Sequence, residues 1–81
     1  MGEKAYPQPT AKELRQLQKI FGNWEECSEL QRAICVVFLR GTSEPKKIAK
    51  QLDDTVETIV SACPGVQGFL IDAKTKKLFL P

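Results

Sequence analysis

Histidine is absent from the 81 residues, and the chain holds only one tryptophan, one tyrosine and three cysteines. Without histidine it lacks the commonest general base at neutral pH and the usual nitrogen ligand of zinc. The cysteines, Cys27, Cys35 and Cys63, are odd in number, form no Cys-x-x-Cys pair and sit among apolar residues. They read as small buried hydrophobes in a reducing compartment, and neither as a disulfide framework nor as a metal site. No apolar run approaches the roughly 20 residues that a membrane-spanning helix needs. The opening MGEKAYPQP has no apolar h-region of a secretory signal, and Tyr6 stands where a myristoylation motif has Ser or Thr. The chain is therefore expected to be nuclear or cytoplasmic, with no membrane partner.

Catalytic equipment is missing too. There is no Gly-rich phosphate loop, and the paired carboxylates, Glu25-Glu26 and Asp53-Asp54, fall at helix starts, where acids suit the dipole. A nucleophilic cysteine would need an activating base, and none is evident. The expectation is no catalytic residue, no metal, no cofactor and no small-molecule substrate. Twelve basic against ten acidic residues leave a net charge of only +2. So small an excess does not name a partner, and the distribution of charge has to decide.

What is present suffices for one modest core and one domain. Residues 1 to 9, with Pro7 and Pro9, read as an extended N-terminal arm anchored by Tyr6. Residues 10 to 81 read as a single domain. TAKELRQLQKIFG begins with Thr10 and Glu13 as a capping box, carries Leu14, Leu17 and Phe21 on one face, and ends at Gly22. NWEECSELQRAICVVFLRG reads as a second helix capped by Asn23, with Glu26 three residues on. Its inward stripe is Trp24, Cys27, Leu30, Ile34, Val37 and Phe38. Arg40 suits the dipole at its end, and Gly41 stops it. TSEPKKIAKQL puts Pro45 in a first turn, where a missing N–H costs nothing, with Ile48, Ala49 and Leu52 inward and Lys46, Lys47 and Lys50 outward. DDTVETIVSAC follows after a very short turn, capped by Thr55 or Asp54 and stopped by Pro64-Gly65. The period then changes: two apolar runs, Phe69 to Ile71 and Leu78 to Leu80, flank DAKTKK as a β-hairpin. A short strand near Gly41-Thr42 is expected to join it. The expected core is Leu17, Phe21, Leu30, Ile34, Val37, Phe38, Ile48, Leu52, Ile59, Cys63, Phe69, Ile71, Leu78 and Leu80.

The fold class that follows is α+β, mainly α. Helix, helix, helix–short turn–helix, then hairpin resembles the winged helix-turn-helix superfamily over roughly residues 23 to 80. The most specific stretch is KKIAKQLDDTVETIV. In it Ile48-Ala49, Leu52, Asp53-Asp54 and Thr55 match the apolar–Ala–Leu–turn–cap pattern, with Asp53 where Gly is often found. The resemblance implies a three-helix core with a helix-turn-helix, an extra N-terminal helix and a C-terminal β-hairpin wing.

It also implies that the helix from Thr55 onward faces a nucleic-acid groove and that the wing touches phosphate. The outward positions of that helix, Thr55, Val56, Glu57, Thr58 and Ser61, offer no Arg, Lys, Asn or Gln for bidentate contacts to purines. Lysines lie on either side instead: Lys46, Lys47 and Lys50 before it, and Lys74, Lys76 and Lys77 in the hairpin turn. They suit sequence-independent gripping of a DNA or RNA backbone. The alternative expectation is a protein partner within a larger assembly, docking on exposed Val56 and Val60 or on the arm. The same lysines would then simply protect a sheet edge and keep the domain soluble.

Overall fold

A computed structural model describes residues 6 to 81. It is mainly helical, with a small antiparallel sheet. Four α-helices, α1 (Ala11–Ile20), α2 (Glu29–Leu39), α3 (Pro45–Leu52) and α4 (Val56–Ala62), precede two short strands, β1 (Leu70–Ile71) and β2 (Leu78–Phe79). No described helix is long and apolar enough to cross a membrane.

The first helix starts as its residues dictate. The Thr10 hydroxyl accepts from the Glu13 N–H at 3.2 Å, and the Glu13 carboxylate accepts from the Thr10 N–H at 2.9 Å. The second helix differs from expectation. Asn23 makes no side-chain cap, residues Trp24–Glu26 form one 3-10 turn, and the backbone is extended at Cys27. The α-helix begins only after Ser28, whose hydroxyl accepts from the Gln31 N–H while the Gln31 side chain accepts from the Ser28 N–H. Two potential capping boxes compete within nine residues, and the downstream one wins. The 3-10 turn still buries both Trp24 and Cys27. Gln31 also donates to the Ala62 carbonyl at 3.1 Å, tying the start of α2 to the end of α4.

Gly41, at φ 107°, closes α2; the Gly41 and Thr42 amides return to the Phe38 and Val37 carbonyls. Arg40 does not simply serve the helix dipole. Its guanidinium crosses to α1 and takes both oxygens of Glu13, at 2.9 Å each, and donates to the Gln8 carbonyl at 3.1 Å. Of the expected arm, residues 1 to 5 lie outside the described residues. Residues 6 to 9 form no regular element, and Tyr6 packs against the core.

Between α3 and α4 Asp53 takes the left-handed conformation, φ 55° and ψ 50°. The Asp54 amide returns to the Ala49 carbonyl at 2.8 Å. This permits the tight reversal, and Ile48, Ala49, Leu52 and Ile59 are buried at the crossing. Thr55 caps α4, accepting from the Thr58 N–H. The helix ends in a 3-10 turn at Cys63–Gly65, which tucks Val66 into the core. Phe21, Phe38 and Phe69 join helices to hairpin: Phe69 lies 4.9 Å from Phe21 and meets Phe38 edge-on at 5.1 Å.

The hairpin pairs Leu70 with Phe79 and Ile71 with Leu78. It is shorter than its apolar runs. Leu80 lies past the pleat and is 40% exposed, so it is not a core residue. Leu30, Phe38 and Ile71 are half-buried against the core, and Val60 is half-buried, not exposed. No strand forms near Gly41-Thr42 among the described residues. A single hydrogen bond, from the Leu78 N–H to the Ser43 carbonyl at 2.8 Å, lays that segment against β2.

Candidate functional site

The lysine-rich side of the molecule encloses a groove of about 550 Å3. Glu44, Pro45 and Lys46 come from the start of α3, Val56 and Val60 from α4, and Ile71, Thr75 and Lys76 from the hairpin. Its floor is apolar, and its charge comes from Glu44, Lys46 and Lys76. Local sequence explains each contribution. Pro45 sits in the first turn of α3, so Lys46 is fixed at a helix start. Val56 is the first residue of α4 and is 38% exposed.

The hairpin tip is organised by Asp72. Its carboxylate accepts from the Lys74 N–H at 2.8 Å and from the Thr75 N–H at 3.5 Å. Those amides, the Lys74 N–H above all, hold the carboxyl below the usual aspartate range. Asp72 and Lys77 share one backbone hydrogen bond, the Lys76 amide returns to the Asp72 carbonyl, and Lys76 takes the left-handed region at φ 57°. A lysine there is strained by about 1 kcal/mol relative to glycine, and the resulting turn brings Lys76 to the groove.

Of the six lysines singled out in the sequence, Lys46 and Lys76 therefore meet at one groove. Lys47, Lys50, Lys74 and Lys77 are exposed but do not line it. Among the described residues only Lys47 of the six is ion-paired, to Glu44 at 3.6 Å, one helical turn away. The outward positions Thr55, Glu57, Thr58 and Ser61 are exposed as expected, and of that set only Val56 reaches the groove. The Thr55 and Thr58 hydroxyls lie 2.8 Å apart and bond each other. That leaves Glu57 and Ser61 as the polar side chains of that set facing outward without such a partner among the described residues. Sequence reading missed Glu44, Pro45, Ile71 and Thr75 as lining residues. Pro45 and Ile71 had a helix-start or core role there, and only the folding-back of the hairpin makes them neighbours.

A second cavity, of about 580 Å3, lies between residues 6 to 9, α1 and α2. Arg32 crosses it, with its guanidinium 5.2 Å from the Trp24 ring and bonded to the Trp24 and Glu25 carbonyls. All three cysteines are buried free thiols. Burial pushes the Cys27 and Cys35 thiols up, and raises Cys63 to about 11. None is a thiolate at neutral pH. No cluster of metal-ligating side chains occurs among the described residues. Comparison with known proteins gives no matching family model, no matching curated protein and no matching solved structure.

Proposed function

We propose that the chain is a winged-helix domain that grips nucleic-acid backbone, with the hairpin as its wing and with little reading of base sequence. The phosphate contacts are Lys46, Lys47, Lys50, Lys74, Lys76 and Lys77. One observation carries the reading: lysines from α3 and from the hairpin converge on one groove, and five of the six form no ion pair among the described residues. Unpaired lysines are free to displace counterions from phosphate, which supplies sequence-independent affinity. Base readout stays weak because α4 presents Glu57, a phosphate-repelling acid, and a Thr55–Thr58 pair that satisfies itself.

The test is a titration of generic duplex DNA and duplex RNA at two salt concentrations, comparing wild type with K46E/K76E. Binding should weaken steeply with salt. The variant should lose at least tenfold in affinity, and its salt slope should fall by about 0.9 per contact removed. Wild type that fails to bind at low salt overturns the reading.

A second reading has its own support in the apolar floor of Pro45, Val56, Val60 and Ile71, which offers phosphate nothing. On that reading the groove takes an apolar segment of a protein partner whose acidic residues meet Lys46 and Lys76. The uncharged Val56→Ser would then weaken partner binding at least tenfold while leaving any nucleic-acid affinity within twofold.

A further inference from the structure

The hairpin leaves one edge open. Asp72 and Lys77 form a hydrogen-bonded pair, so the next pair, Ile71 and Leu78, is the kind whose amides and carbonyls point away from each other. On the β2 side the Leu78 N–H turns outward and finds the Ser43 carbonyl. On the β1 side the Ile71 N–H and C=O turn outward and find no partner among the described residues. The outer face beside that edge carries two exposed apolar side chains: Leu70 and Phe79 pair across the strands at 47% and 42% exposure. A two-stranded hairpin of this length is marginal by itself, and further strands over an apolar face stabilise it.

We infer that β1 pairs antiparallel with β1 of a second copy of this chain, Ile71 against Ile71, giving a four-stranded sheet ordered β2-β1-β1-β2. The occupant follows from the edge. One free N–H and one free C=O on a single residue are self-complementary across a two-fold axis, so each Ile71 donates to and accepts from the other. In this register each Leu70 lies opposite Asp72 of the other copy on the outer face. The two Leu70 side chains are diagonal neighbours about 7–8 Å apart and cover one another.

The charges permit the arrangement. The lysine-bearing tips point to opposite ends of the joined sheet, roughly 20 Å apart at about 3.4 Å per residue. That is more than twice the screening length of about 8 Å at physiological salt. The pairing stands independently of phosphate binding, which uses the helix face and the tips.

The experiment is analytical ultracentrifugation of the full chain from micromolar to millimolar concentration, with amide exchange at Ile71 followed by NMR over the same range. Association to twice the 9.1 kDa of one chain, with Ile71 protection rising in parallel, is expected. L70D places a carboxylate opposite Asp72 and should weaken dimerisation at least tenfold; L70K faces the same aspartate with a cation and should weaken it distinctly less. A chain that stays monomeric, an Ile71 amide indifferent to concentration, or L70D and L70K acting alike would each overturn the pairing. If L70D does not fold, the Ile71 exchange of wild type decides alone. Duplex binding by the dimer-weakened L70D variant is measured separately, so failure of one proposal is not mistaken for failure of the other.

Discussion

Glu13 does two things with one carboxylate. It caps its own helix through the Thr10 N–H and holds Arg40 of α2 by both oxygens. The Arg40 hydrogen bonds, then that of Thr10, hold its pKa down at about 2 from an ordinary 4.5. A folded-state pKa below the unfolded one gives a contribution fully present above about 4.5 and lost as pH falls towards 2. Glu13→Gln keeps a cap acceptor but drops the ion pair. It should melt below wild type at pH 7, and the two curves should converge by pH 2, as followed by circular dichroism against temperature. Asp72 contributes in the same direction, its carboxylate being stabilised by the Lys74 amide. The Glu13 capping box was legible in the sequence because all its partners lie within four residues. The pair with Arg40 was not, because nothing local links residues 13 and 40. Only the packing of α1 on α2 brings them together.

At the scale of elements, the tight turn between α3 and α4 was the most legible part. Pro45, Leu52, Asp53 and Thr55 each carry a local backbone preference, and all four point to the same reversal. The second helix was misread because Asn23 and Glu26 imitate a capping box that Ser28 and Gln31 form. Local preference could not rank the two. The tie of Gln31 to Ala62 and the burial of Trp24 and Cys27 on a 3-10 turn are tertiary facts. Removing each candidate cap tests the ranking. Ser28→Ala should cost about 1 kcal/mol, roughly 4–8 °C in a domain of this size. Asn23→Ala should stay within about 0.5 kcal/mol, since the Asn23 amide oxygen is buried without a partner among the described residues and its nitrogen makes only a long 3.5 Å hydrogen bond, to the Gly65 carbonyl. Chemical denaturation of both variants measures the difference. The groove was half legible: its lysines and Val56 stand out as exposed residues in a pattern, whereas Pro45, Ile71 and Thr75 join it only through the return of the hairpin.

The whole molecule has one core, shared by all four helices and the hairpin, and each third of the chain places a cysteine in it. Cys35 and Cys63 are 0% and 1% exposed, and Cys27 is 8% exposed. Reactivity with a disulfide reagent requires a thiolate in contact with water, so the native molecule withholds all three. The chain thus carries an internal clock for its own breathing. Under a reagent such as dithionitrobenzoate, Cys27, on the short turn before α2, should be modified first through local opening. Cys35 and Cys63 should follow together, at a rate set by global opening. The stoichiometry and phases of colour release would time the loosening of the fold without any label being introduced.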